Sequence, residues 1–234
     1  MARAAPVTLD GIPRTRLPFF DPPETPEDLW WAVWWMWDVK IPTTRVCPNH
    51  VAPFDAFAAA YFATSPVIVV KASRGLAGKT FSMAHLTLTE TVFLGAEVTL
   101  LGGSLEQSSL AHDYAKAAWD APGAPVHLLD GDPTQRETRL VNDGHIRVLA
   151  ASTKSARGRH PQRMRLDEVD EMDRFVFESA LGQPMAKRGI ASQTLIGSTH
   201  HYPNGTFTYI LEDLAPEKGW PVMEWCYRES RSGQ

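Results

Sequence analysis

Short apolar runs separated by longer mixed segments set the rhythm of this chain. Val67-Ile68-Val69-Val70 and Val98-Thr99-Leu100-Leu101 are continuous and rich in β-branched residues, the signature of strands buried on both faces of a parallel sheet. Thr194-Leu195-Ile196-Gly197 repeats the pattern near the C-terminus. Between the runs the period becomes helical. Phe81 to Leu94 reads as a helix ended by Gly95, and Ser104 with Gln107 has capping-box spacing for a helix reaching about Trp119. Ala56 to Ala63 and Phe175 to Lys187 read as two more helices. Asn142-Asp143-Gly144, between Thr138-Arg139-Leu140-Val141 and Ile146-Arg147-Val148-Leu149, is a hairpin signal. The alternation predicts an α/β fold, with a mostly parallel sheet, helices on both faces and a β-hairpin insertion.

The N-terminal region differs. Pro6, Pro13, Pro18, Pro22, Pro23 and Pro26 mark an extended arm, and Pro26-Glu27-Asp28 then opens a helix carrying Trp30, Trp31, Trp34, Trp35 and Trp37. Helical spacing puts Trp30, Trp34 and Trp37 on one face, read as packing onto the main body rather than as a partner-facing surface. The division expected is residues 1–40 for arm and Trp-rich helix and 41–234 for the main domain. The apolar stretch Leu29 to Trp37 is far short of the ~20 residues of a membrane span, and no secretory h-region is visible.

Composition narrows the function classes. A net charge of −4 excludes a chain-wide basic coat, so any nucleic-acid contact is local. Lys154, Arg157, Arg159, Arg163 and Arg165, with His160, form such a local patch, suited to DNA phosphates or a neighbour's ATP. The two cysteines, Cys47 and Cys226, are too far apart in sequence for a disulfide scaffold. Cys47 and His50 have half of a zinc-site spacing, but no second pair lies near them in the sequence, so a structural metal is not expected.

The chemistry concentrates after the first apolar strand. Ser73-Arg74-Gly75-Leu76-Ala77-Gly78-Lys79-Thr80 follows that strand and opens a helix, the context of a Walker A phosphate loop. Backbone N–H groups face the phosphates, Lys79 reaches the β/γ oxygens and the Thr80 hydroxyl ligates Mg²⁺. Ser73 stands where the first glycine is expected. Met164-Arg165-Leu166-Asp167-Glu168 then ends an extended segment in paired carboxylates. Asp167 is expected to hold Mg²⁺ through water and Glu168 to activate the attacking water. Arg163 and Arg165 interrupt the usual apolar run, leaving Met164 and Leu166 on one side. Gly197-Ser198-Thr199 ends the last strand, where Ser198 and Thr199 are placed to sense the γ-phosphate. Phe54 and Phe57 are read as core rather than as an adenine stack.

Taken in order, Cys47-Pro48-Asn49-His50-Val51-Ala52-Pro53-Phe54-Asp55, the loop Ser73 to Thr80, Arg157-Gly158, Leu166-Asp167-Glu168 and Gly197-Ser198-Thr199 resemble phage large terminase, the ATPase motor that pumps DNA into capsids. The resemblance runs from about residue 40 to the end. It implies a P-loop NTPase fold of the additional-strand catalytic-Glu type, with ATP and Mg²⁺ bound, a homo-oligomeric ring at the portal protein, double-stranded DNA and a small terminase subunit as partners, and a place at the procapsid portal in the host cytoplasm. It also implies Arg74 as the loop arginine, Arg157 as an arginine finger for a neighbour's nucleotide, and Gly197-Ser198-Thr199 as the motif coupling hydrolysis to movement. The nuclease domain of the family is expected to be absent, lying on a separate chain or lost by truncation. Three rivals are weaker: a helicase-like P-loop ATPase needs a second lobe for which the length is short, a nuclease metal site in Asp167, Glu168, Asp170, Glu171 and Asp173 needs carboxylates from several strands, and a nucleotide-dependent DNA-binding module without turnover is separated only by turnover measurements.

Overall fold

The structure, a computed structural model, describes residues 8–9, 12–13, 21–73, 75, 77–150 and 160–232. A two-residue antiparallel ladder, β1 (Thr8–Leu9) with β2 (Ile12–Pro13), precedes the main sheet. That sheet contains β3 (Val67–Ala72), β4 (Glu97–Gly102), β5 (Glu137–Arg139), β6 (His145–Ala150), β7 (Arg163–Asp167), β8 (Gln193–Ser198) and β9 (Val222–Trp225). Across the sheet the order is β5-β6-β4-β7-β8-β3-β9. Every neighbouring pair runs parallel except β5 with β6. The hairpin forms where the Asn142-Asp143-Gly144 signal places it, yet β6 is a full member of the parallel sheet, in register with β4 from Glu97 opposite His145 to Gly102 opposite Ala150. Only β5 is an addition to its edge.

The continuous apolar runs have the expected cause. On β3, Ile68 and Val70 join one hydrophobic cluster and Val69 the other; Leu100 and Leu101 of β4, and Leu195 and Ile196 of β8, divide the same way. Both faces of the sheet are therefore covered, which favours apolar residues on its central strands. One face is packed by α1 (Pro26–Trp37), α2 (Pro53–Tyr61), α3 (Lys79–Leu94) and α4 (Leu105–Ala118). The other is packed by α5 (Arg174–Leu181) and by α6 (Thr206–Tyr209), which continues through a π-helical turn at Ile210–Leu214 into α7 (Ala215–Lys218). The chain closes with α8 (Tyr227–Arg231). Among the described residues no helix is long and apolar enough to cross a membrane.

Caps explain the boundaries. Thr25 and Asp28 form a reciprocal capping box for α1, as Ser104 and Gln107 do for α4, while Gly95 ends α3 in the left-handed conformation. α5 stops at Leu181, well short of Lys187, because Gly182 follows and the chain then turns to hydrogen-bond Pro161 from the Met185 amide. The aromatic face of α1 also differs from expectation. Leu29, Val33, Met36 and Trp37 enter the core, with the Trp37 indole donating to Thr89 Oγ1 at 3.2 Å, whereas Trp30, Trp31 and Trp34 form a half-buried cluster beside them. Trp30 belongs to that cluster because its indole is drawn to the Ile41 carbonyl at 2.9 Å.

Arg163 and Arg165 are not part of a surface patch. They are 2% and 0% exposed, and both pair with Glu90 of α3, itself fully buried. Arg163 Nε lies 3.0 Å from Glu90 Oε1 and Arg165 donates to both oxygens of that carboxylate; Arg165 also reaches Gln193 Oε1 at 3.3 Å. For two guanidiniums buried against one carboxylate, that carboxylate is the counter-charge, since an isolated charge in the interior carries a large desolvation cost. Glu90→Gln is therefore expected to cost about 3–5 kcal/mol of folding free energy, read as a lower urea midpoint with an unchanged slope.

Candidate functional site

The C-terminal ends of β3, β4, β7 and β8 open into a cleft of about 320 Å³, lined by Ser73, Gly75, Gly78, Lys79, Thr80, Gln107, Asp167, Glu168 and Thr199 among others. Strand ends of an open parallel sheet are where such folds place ligands. The loop from β3 reaches α3 through Gly75 and Gly78, whose φ values of 75° and 66° are open to glycine and strained for a residue with a Cβ. The loop is also held from behind. The Ala77 carbonyl accepts from the Trp225 indole at 2.8 Å and from Ser230 Oγ at 2.7 Å.

Lys79 is the first residue of α3 and is 7% exposed. Its ammonium donates to Asp167 Oδ1 and, at 3.1 Å, to Glu168 Oε1. Burial opposes its charge, but the two carboxylates outweigh burial and hold the ammonium above its ordinary pKa. Thr80 Oγ1 donates to Asp167 Oδ2 at 2.6 Å. Thus Lys79, Thr80, Asp167 and Glu168 meet in one place, from segments almost ninety residues apart. Glu168 holds the left-handed conformation, φ 51° and ψ 50°, as β7 gives way to a 3-10 turn. A non-glycine residue there carries strain of order 1 kcal/mol.

Strand β8, between β3 and β7, brings Gly197 against the stem of Lys79. A Cβ at Gly197 would lie 3.0 Å from Lys79 Cδ and 3.1 Å from Met83 Cε. The next two residues part company. Thr199 lines the cleft and donates to the Ala72 carbonyl at 3.2 Å, whereas Ser198 is fully buried, and its Oγ accepts from the Asp170 amide at 3.2 Å. Ser198 is thus a support for the acidic turn and does not face the cleft as the sequence suggested. Arg74 and Leu76 of the loop, and Arg157 with Lys154 and Arg159 of the basic segment, lie outside the described residues.

Asp170 has a role the sequence did not reveal. It is 6% exposed, and its oxygens accept from the amides of His201 and Tyr202, both at 2.8 Å, and of Phe207 at 3.0 Å. Asp173 caps α5 through the Phe175 amide. The acidic run is therefore divided: Asp170 and Asp173 hold backbone amides, while Asp167 and Glu168 face Lys79. The only hint in the sequence was an aspartate three residues beyond Asp167. Phe54 and Phe57 are buried at 7% and 3%, as expected of core residues. The apolar wall of the cleft comes instead from Phe81, Leu110 and Tyr114. Cys47 and His50 also require correction, because folding supplies the nearby second pair that the sequence spacing hides: Cys226 and Glu229.

No family description and no curated relative matches the sequence. Solved structures do match. The large terminase of bacteriophage HK97 superimposes with a TM-score of 0.58 at 18% identity, covering 79% of this chain and 40% of that one. The large terminase of a thermophilic bacteriophage gives 0.55 at 10% identity, covering 76% and 47%. The chain has the fold of a phage large terminase. It spans less than half the length of these terminases. The thermophilic phage's terminase has also been solved with ADP and with ATP-γ-S, and both complexes match this chain as well, with TM-scores of 0.55 and 0.54.

In this terminase fold one carboxylate gathers three amides of the segment after β8. Asp170→Ala is expected to free three amides and to cost about 1–3 kcal/mol locally. Hydrogen exchange at His201, Tyr202 and Phe207 should accelerate while the β3 and β4 amides stay protected.

Proposed function

We propose that this chain is the ATPase part of a viral DNA-packaging motor, hydrolysing ATP with Mg²⁺ to move double-stranded DNA into a procapsid. The observation that carries the reading is the meeting of Lys79 and Thr80 at the start of α3 with Asp167 and Glu168 at the end of β7. That is the pairing of Walker A and Walker B groups, and β8 between the two strands is what an additional-strand P-loop NTPase requires. The likeness to terminases, including the nucleotide-bound structures of the thermophilic phage's protein, points the same way.

In this reading Ser73 to Thr80 wrap the phosphates, with backbone amides and Lys79 as donors. Thr80 Oγ1 and Asp167 Oδ2 converge as hard oxygen donors of the kind Mg²⁺ takes, so the residues fit the ion, Thr80 directly and Asp167 through water. Mg²⁺ bound there supplies positive charge to the phosphate oxygens. Glu168 orients and deprotonates the attacking water. Its strained backbone fixes the carboxylate beside Lys79. Gly197, packed on the Lys79 stem, senses the position of that lysine, and β8 carries the change to Thr199. Arg74 adds charge within the subunit and Arg157 reaches a neighbour's nucleotide in a homo-oligomeric ring at the portal, with a small terminase subunit delivering DNA. Residues 41–234 form the ATPase domain of this scheme.

ATP hydrolysis with and without double-stranded DNA tests the reading. Lys79→Ala is expected to abolish nucleotide binding in a calorimetric titration. Glu168→Gln should retain binding and lose about 10²–10⁴ in turnover; unchanged turnover would move the base elsewhere. Binding with no turnover in the unaltered chain would favour a nucleotide-dependent assembly module.

The finger has its own test. A trans arginine contributes about 10³–10⁵ in rate, so Arg157→Ala mixed with Lys79→Ala should regain hydrolysis that neither has alone. A dead mixture of assembled chains assigns the role to Arg74 or Arg159.

A further inference from the structure

Away from the cleft, two segments 179 residues apart in sequence bring four metal-binding side chains together. Cys47 and His50 lie in the turn before α2, where Asn49 takes φ 63° and the His50 amide returns to the Cys47 carbonyl at 3.3 Å. Cys226 is the N-cap of α8 and Glu229 lies in its first turn. One ligand atom from each lies within 4.8 Å of all the others. We propose that Cys47, His50, Cys226 and Glu229 bind a structural Zn²⁺ ion.

The distances discriminate between cysteine chemistries. The two Sγ atoms are 3.8 Å apart. A disulfide needs about 2.05 Å, whereas two thiolates each about 2.3 Å from a tetrahedral zinc stand about 3.8 Å from one another. His50 Nδ1 faces Glu229 Oε2 at 3.1 Å, and its other nitrogen lies 3.9 Å from Glu224 Oε1 on β9. A zinc-bound imidazole commonly faces a carboxylate on its far side in this way, which fixes tautomer and ring plane. The Glu229 side chain is fully buried and is oriented by the amides of Cys47 at 2.7 Å and Cys226 at 2.9 Å. Two sulfurs, a nitrogen and an oxygen suit zinc better than magnesium or calcium, which take oxygen alone. Four protein ligands leave no open position, so the site is structural. Both pairs have the three-residue spacing that lets a turn or a helix start aim two ligands at one point.

The site has a consequence for the cleft. Trp225 and Ser230, which hold the Ala77 carbonyl, flank Cys226 and Glu229 on the same segment. Zinc would therefore clamp the C-terminal segment to residues 47–50 and brace the phosphate loop from behind. This inference is independent of nucleotide hydrolysis and stands or falls without it.

The test uses the full chain purified under reductant, exchanged into equimolar ZnCl₂ and desalted. Elemental analysis should give one zinc per chain, falling below a tenth in Cys226→Ser and in Cys47→Ser. Co²⁺ in place of Zn²⁺ should give thiolate-to-metal charge-transfer absorption and tetrahedral d–d bands. As a check free of any variant, zinc should slow alkylation of both thiols in the unaltered chain at least tenfold, and a chelator should restore the rate. Less than a tenth of an equivalent of zinc in the unaltered chain, zinc content unchanged in Cys226→Ser, or equal alkylation with and without zinc overturns the proposal. So does a Cys47–Cys226 disulfide in protein kept reduced.

Discussion

The contact between Glu90 and the two arginines of β7 governs where α3 lies on the sheet. α3 begins with Lys79 and carries Glu90 near its other end; β7 begins with Arg163 and finishes with Asp167. The helix is consequently tied to the strand by charge at two places, Glu90 to Arg163 and Arg165, and Lys79 to Asp167. The first tie is wholly buried and gains little net stability, because desolvating three ions offsets most of their attraction. Its value is positional. A helix that slid or rotated by one residue would leave two guanidiniums unpaired in the core, so the register that delivers Lys79 and Thr80 to Asp167 is enforced from the far end.

The same constraint explains what was legible in the sequence. Strands β3, β4 and β8 announced themselves because burial on both faces favours runs of apolar residues, and the loop that opens α3 stood out because its residues are contiguous. The caps of α1, α3 and α4 are likewise local. Interactions across long loops were hidden. Arg163 and Arg165 read as a surface patch because charge is written in the sequence and burial is not, and Glu90 stands 75 residues from Arg165. Cys226 and Glu229 read as unrelated to Cys47 and His50 for the same reason. The edge strand β9 carried no signal, since Val222 is exposed and Met223 and Glu224 are half-buried, so no continuous apolar run marks it. Ser198 was misplaced by one residue: it ends β8 buried beneath the Asp170 amide, and Thr199, just past the strand, is the one that lines the cleft.

Beside the Lys79–Asp167 tie lies a set of small, close-fitting parts. Gly197 leaves no space between β8 and the stem of Lys79, Ser198 receives the Asp170 amide, and Asp170 fastens the amides that follow β8. These contacts run from the Lys79 stem to the residues that follow β8. From behind, Trp225 and Ser230 hold the loop at the Ala77 carbonyl.

The left-handed backbone of Glu168 sets stability against the carboxylate at the cleft. Asparagine or glycine relieves the conformational strain at that position, while Lys79 keeps Asp167 as its counter-ion. A library screened only for thermal resistance would therefore drift toward those residues at 168, enriching better-folded chains without a carboxylate at the cleft. The strained glutamate is an address that folding alone would erase, and its retention in any engineered descendant is a sign that something besides stability was selected.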